Sequence, residues 1–174
     1  MHATAVENLL PFLAPTPSRP APRVLDIGSG SGYLTHVMAE LVGPETDGAV
    51  VVGLEHIAPL RDLGEANMRK SAEGRGLLAS GRVRFRVGDG RKGWTEPGQQ
   101  EGEGWDVIHV GASAKEMHPE LLAQLRAPGR MFIPVDDDGK GWSQHVWCVD
   151  KDDKGVVSKR KLFGVRYVPL TDAP

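Results

Sequence analysis

The residues best placed to do chemistry in this chain are a run of glycines and serines with an acid just ahead of it. Val24-Leu25-Asp26-Ile27 is apolar apart from Asp26, and Gly28-Ser29-Gly30-Ser31-Gly32 follows at once. Glycine at alternate positions lets the backbone turn sharply and puts no Cβ between the chain and a ligand lying on it. A helical pattern begins directly afterwards, so unpaired N–H groups and the positive end of a helix dipole face the same spot. Such a loop suits a nucleotide-like ligand with an anionic group. Its spacing is G-x-G-x-G, unlike the G-x-G-x-x-G of dinucleotide binders or the G-x-x-x-x-G-K-[ST] of the P-loop. The spacing points to S-adenosylmethionine (SAM) rather than to NAD or ATP.

Two further acids fall at the ends of apolar runs. Glu55 closes a β-branched run over residues 50–54, where a carboxylate can accept hydrogen bonds from ribose hydroxyls. Asp89 lies in Gly88-Asp89-Gly90 after a third run, where it can accept from an exocyclic amine such as that of adenine. The bland readings are an exposed loop carboxylate and a simple turn. Three such positions in order, each beyond a strand's carboxyl end, favour a binding site. Ile57 can cover a face of the adenine, and His56 is either a contact to the cofactor or a polar residue opening a helix. His109, ending a fourth run, reads as a buried, satisfied histidine. The histidines are scattered and none pairs with Cys148, so no metal centre is expected. There is no G-x-S-x-G elbow, and Asp136-Asp137-Asp138 lacks the spacing of a calcium loop and reads as a solvated turn.

The elements that must position these groups alternate. Residues 3–13 read as a helix that Pro11 ends or bends, and 15–22 as a proline-rich loop. Strands are expected at 23–27, 50–54, 83–87, 105–110 and 131–135, with helices at 34–41, 58–73 and 116–126. Gly74, Gly76 and Gly81 mark a loop, and 98–104 a polar excursion. The remaining apolar runs, 146–149, 156–161 and 165–170, read as strands without helices between them. The chain is therefore one α/β domain over 1–174, a three-layer Rossmann-like fold with a mostly parallel sheet and an antiparallel C-terminal edge.

Bulk properties narrow the partners. The 174 residues carry a net charge of −2 with 40% apolar and 25% charged residues, as in an ordinary globular protein. No basic stripe suggests nucleic acid; Lys159-Arg160-Lys161 reads as a solvated edge strand. No apolar stretch is long enough to span a membrane, and the N-terminus lacks the pattern of a signal peptide. The single Cys148, read as a strand residue, fits a reducing compartment. A cytoplasmic monomer is expected.

With these residues in place, the chain resembles the protein-L-isoaspartate (D-aspartate) O-methyltransferases. The likeness is carried by Met1-His2-Ala3, the Leu25–Gly32 segment, Val87-Gly88-Asp89-Gly90-Arg91 and Asp106-Val107-Ile108-His109-Val110-Gly111-Ala112. It continues in Arg130-Met131-Phe132-Ile133-Pro134-Val135 and in Gly164-Val165-Arg166-Tyr167-Val168-Pro169-Leu170-Thr171-Asp172. The glycine loop is common to many methyltransferases; His-Val-Gly-Ala and Tyr-Val-Pro-Leu-Thr-Asp are far more particular to this family. The resemblance implies methyl transfer from SAM to the free α-carboxylate of L-isoaspartyl or D-aspartyl residues, with damaged peptides and proteins as partners. The cofactor set it completes is Asp26, Gly28, Ser29, Gly30, Ser31, Gly32, Glu55, His56, Ile57, Asp89, Gly90 and Thr171. His2 and Val165 would border the substrate.

Three departures stand out. The family's active-site Ser or Thr precedes the Met-His-Ala segment, so that residue is expected upstream of Met1. This stretch alone is then expected to bind SAM and to methylate poorly. The usual Pro-Gly-Gly-Arg is Ala127-Pro128-Gly129-Arg130, and the 99–104 and 136–139 loops look altered. The alternatives are a catalytically silent SAM-binding protein, a methyltransferase acting on a small molecule and, third, an NAD oxidoreductase, which the glycine spacing disfavours.

Overall fold

A computed structural model describes residues 2–43, 45–98, 103–138 and 143–172. The elements run α1 (His2–Leu13), β1 (Arg23–Ile27), α2 (Tyr33–Val42), β2 (Val50–Glu55), α3 (Ala58–Met68), α4 (Ala72–Ala79) and β3 (Val83–Val87). They continue as β4 (Trp105–Val110), α5 (Pro119–Gln124), β5 (Leu125–Asp136), β6 (Gln144–Lys151) and β7 (Val157–Val165). The seven strands form one sheet in the order β3-β2-β1-β4-β5-β6-β7. The first five are parallel, and β6 and β7 are antiparallel to their neighbours.

Strands β1, β2 and β4 read as near-continuous apolar runs because both faces of the sheet are covered. One face packs Val24, Val51, Phe85, Val107 and Phe132 against α1 to α4, through Leu9, Leu13, Met38 and Met68. The other packs Leu25, Ile27, Leu54, Ile108 and Met131 against Leu121 of α5, Trp94 and Leu170. The expected three-layer α/β fold with an antiparallel C-terminal edge is the fold observed. The chain moves outward from β1 to β3 on one side, then returns to place β4 on the other. That reversal opens a crevice at the carboxyl ends of β1 and β4, where sheets of this kind take ligands.

Several expectations are corrected. Pro11 lies inside α1, which continues to Leu13 because Leu9 and Leu13 are fully buried. The single helix expected over 58–73 is two. Arg69 ends α3, and Ser71 caps α4 by accepting the Gly74 N–H at 2.9 Å. Gly74 and Gly76 are helical rather than loop residues. The 116–126 helix shrinks to Pro119–Gln124, since Leu125 already pairs with Trp105 as the start of β5. The strand expected over 156–161 runs on to Val165 as β7, whereas 166–170 form no strand; among the described residues beyond β7, Pro169 makes an isolated bridge to Ser113. Lys159, Arg160 and Lys161 lie on this edge strand, and Cys148 is buried in β6. Of the two altered loops, 99–102 and Gly139 lie outside the described residues. No helix among the described residues is long and apolar enough to cross a membrane.

Candidate active site

A cleft of about 440 Å³ opens at the carboxyl ends of β1, β2, β3 and β4. Gly28 and Gly30 form one wall, Gly111 and Ala112 adjoin them, and Gly88 and Gly90 line the β3 side. Gly28, Gly30 and Gly32 have φ of 75°, 51° and 77°, a left-handed backbone that disfavours side chains. Gly32 is also pressed against α3, where an added Cβ would lie 2.8 Å from the Gly64 carbonyl oxygen.

Glu55 is only 4% exposed, yet its carboxylate is well supplied with donors. Oε2 accepts the Gly30 N–H at 3.1 Å. Oε1 accepts the N–H groups of His56 at 2.9 Å and Ile57 at 3.2 Å, and lies 2.9 Å from His56 Nδ1. Burying a carboxylate is costly unless such bonds replace water. The same bonds tie β2 to the glycine loop of β1 and fix the acid's orientation.

The segment after β7 also lines the cleft. Val168, Pro169, Leu170 and Thr171 line the cleft with Ile57 and Leu60. Three tethers hold this strap. Gln144 clamps Tyr167, accepting its N–H at 2.7 Å and donating to its carbonyl at 3.2 Å. Ser113 donates its N–H to the Val168 carbonyl and accepts the Leu170 N–H, both at 2.8 Å. Arg91 reaches Asp172 at the far end.

Gly28, Gly30, Glu55, His56, Ile57, Gly90 and Thr171 therefore share one cleft, while the other predicted residues lie apart from its lining. Asp89 turns both carboxylate oxygens onto Arg91, at 2.9 and 2.8 Å, and this hydrogen bonding holds its pKa below the ordinary value. Asp26 is buried beneath the loop, its oxygens taken by Thr35 Oγ1 at 2.6 Å and His109 Nδ1 at 2.7 Å. Ser29, within the loop, is buried. Ser31 and Gly32 face a separate hollow with Tyr33 and Asn67. His2 lies against Tyr33, with ring centroids 5.4 Å apart and the planes tilted by 33°. Val165 ends β7 and packs on the α1–α4 face. The predicted set misses Gly111, Ala112 and Val168 to Leu170 of the lining, together with Ile27, Leu54, Leu60 and Gly88. The small residues after His109 do signal a close approach; the strap offers no such local signal.

A second cavity of about 330 Å³ lies at the amino ends of β4 and β5, lined by Arg19, Asp106 and Arg126 among others. Its lining holds no glycine turn and no acid at a strand's carboxyl end. Among the described residues, no three His, Cys, Asp or Glu side chains are grouped to hold a metal ion.

The sequence profile described as Protein-L-isoaspartate(D-aspartate) O-methyltransferase matches residues 1–174. The chain belongs to this family. A Triticum aestivum Protein-L-isoaspartate O-methyltransferase is 43% identical over 171 residues, which cover 98% of this chain and 66% of the relative. The Caenorhabditis elegans family member is 39% identical over 172 residues, covering 98% of this chain and 68% of its own. Among solved structures, a Plasmodium falciparum protein described as a family member, in complex with S-adenosyl-L-homocysteine, matches with a TM-score of 0.84. It is 30% identical, and the match covers 99% of this chain and 74% of that one. The chain spans about two thirds of the wheat relative's length and half that of an Arabidopsis thaliana relative.

Proposed function

We propose that this chain binds SAM in the strand-end cleft and transfers its methyl group to the free α-carboxylate of L-isoaspartyl or D-aspartyl residues in damaged peptides and proteins. The product ester can close to a succinimide unaided, so the transfer begins a repair. The observation that carries this reading is the strap. Its Val168-Pro169-Leu170-Thr171 sequence is particular to the family, and it lines the same cleft as the common methyltransferase loop.

The lining fits the ligand. Positive-φ glycines admit close backbone approach, the volume suits a nucleoside-sized molecule, and apolar Ile57, Leu60 and Leu170 suit an adenine ring. Glu55 has room for a ribose hydroxyl on Oε2, which accepts one protein donor. Oε1 already faces three, so a second hydroxyl would replace the His56 ring.

SAM supplies a methyl carbon on a positively charged sulfur, open to displacement by a carboxylate oxygen. That oxygen is already ionised near pH 7, so no general base is required. What the chain must supply is alignment and exclusion of water. The glycine loop and Glu55 hold one partner, and the tethered strap closes the side. A single copy working in the cytoplasm completes the reading, and buried Cys148 suits a reducing compartment.

Calorimetry with SAM, S-adenosylhomocysteine and NAD, together with methyl transfer to an isoaspartyl peptide and its aspartyl isomer, tests the proposal. Saturable binding of the first two and transfer to the isoaspartyl peptide alone are expected. NAD binding without SAM binding would overturn it, and SAM binding without turnover would leave a silent binding protein.

A further inference from the structure

The strap's three tethers differ in kind. Ser113 and Gln144 are buried, at 3% and 7% exposure, and hold Tyr167, Val168 and Leu170 through their backbone groups. The third tether is an ion pair open to solvent, for the Asp172 side chain is 82% exposed. Water competes for such a pair, so it opens more readily than the other two.

The partner of Asp172 is anchored from the other side. Arg91 belongs to the short turn Gly90–Lys92 that follows β3, and Asp89 fixes it there. Asp89 Oδ1 accepts the Arg91 backbone N–H at 3.0 Å and Nε at 2.9 Å, and Oδ2 accepts Nη2 at 2.8 Å. The same Nη2 reaches Asp172. One planar guanidinium thus joins two carboxylates, a task that suits its fork of donors better than a lysine ammonium. The strap also meets the turn directly. A Cβ built on Gly90 would lie 3.0 Å from Leu170 Cδ1 and 2.3 Å from Ile27 Cγ2. Gly90, Leu170 and Thr171 all line the cleft, whereas Arg91 and Asp172 stand behind that lining.

We infer that Arg91 is a positioning residue for the cofactor. By holding Asp172 from the turn that Asp89 fixes, it keeps Leu170 and Thr171 against Gly90 and so keeps that part of the lining in place around bound SAM. The strap opens from its Asp172 end, while Ser113 and Gln144 hold the rest. The inference rests on the reading of this cleft as the SAM site and adds the group that governs the cofactor's release.

An exposed ion pair adds little to folding stability, so a clasp and a mere brace give different results. The probe is S-adenosylhomocysteine, its dissociation rate followed by stopped flow. Asp172→Asn should release it about threefold to fivefold faster, with a melting temperature within about 1 °C of the unaltered chain. Raising sodium chloride from about 0.05 M to about 0.5 M should speed release from the unaltered chain about twofold and leave Asp172→Asn nearly unmoved. Asp172→Glu keeps the charge and should restore slow release. Arg91→Lys keeps a charge without the fork and should resemble Asp172→Asn. An Asp172→Asn variant with the unaltered rate and the unaltered salt response would overturn the inference. Hydrogen exchange of the S-adenosylhomocysteine complex gives a second reading. In Asp172→Asn the Leu170 amide should exchange faster while the Tyr167 amide, clamped by Gln144, keeps its rate. Equal behaviour of the two amides would rule out opening from the Asp172 end. If the unaltered chain shows no saturable binding of the probe, the reading of the cleft fails and this inference falls with it; binding with unchanged release from Asp172→Asn defeats the inference alone.

Discussion

At the scale of single residues, the site divides by how far each contact reaches along the chain. Glu55 is the clearest case. Its acid type and its place at the end of an apolar run mark it in the sequence. Its donors come from the next two residues and from Gly30, so its setting is largely local. Glu55→Ala should lower SAM affinity roughly tenfold to a hundredfold, as expected for losing about 1.5–3 kcal/mol of charge-assisted hydrogen bonding. Titration of a folded variant checks this, and undiminished affinity would reduce Glu55 to a brace for the glycine loop. Asp89 shows the limit of local reading. Its position at a strand end is legible, but its pairing is not. Arg91 lies two residues away and also reaches Asp172, which the strap brings near. His109 is legible as well: its apolar neighbours mark it as buried, and it is 5% exposed with Nδ1 2.7 Å from Asp26 Oδ1.

At the scale of elements, the parallel core was legible because strands buried on both faces leave uninterrupted apolar runs. What could not be read were the ends and breaks decided by packing. The division between α3 and α4 is instructive. The sequence pattern reads as one helix over residues 58–73, but an added Cβ on Gly74 would lie 2.1 Å from the Met68 carbonyl oxygen. That close approach lets the chain turn, and Ser71 then begins a new helix. A serine three residues ahead of a glycine is too common a pattern to locate such a break. Ser71→Ala should cost about 1 kcal/mol, the usual worth of an N-cap. In a chain of this size that lowers the melting temperature by about 2–4 °C. Thermal unfolding followed by circular dichroism measures it, and an unchanged midpoint would mean that packing alone holds the break. The strap escaped prediction for a related reason. Residues 165–170 have a strand's composition, but their hydrogen bonds go to Gln144 and Ser113 rather than to a neighbouring strand's full length.

At the scale of the whole molecule, acid stability and the reach of ligand binding both follow from the arrangement of the sheet. Hydrogen bonding from Arg91 holds the Asp89 carboxyl below its ordinary pKa. Burial pushes Glu96 upward, but hydrogen bonds from Arg84, Trp94 and Arg86 outweigh it and leave that acid lowered too. A carboxyl whose pKa is depressed by folding contributes stability above its ordinary pKa and loses it as pH falls through the depressed value. These groups should therefore leave the melting temperature level from neutral pH to about pH 5 and lower it below about pH 4. Melting curves across that range, with Glu96→Gln as a variant of shallower acid slope, test the point; equal slopes would discount Glu96. The antiparallel pair β6 and β7 has a separate consequence. Two reversals after β5 return the chain to the carboxyl end of the sheet, and the strap begins where β7 stops. Yet β7 is an outer strand with its first residues open to solvent, the kind of element that frays first. Its fraying and the integrity of the cleft wall are thus one equilibrium. A ligand held by the wall at a hundred times its Kd adds about 2.7 kcal/mol to the closed form. Amide hydrogens of Ser158 to Lys161, which do not line the cleft, should then exchange more slowly with solvent in its presence. The outermost strand becomes a remote gauge of whether the site is filled.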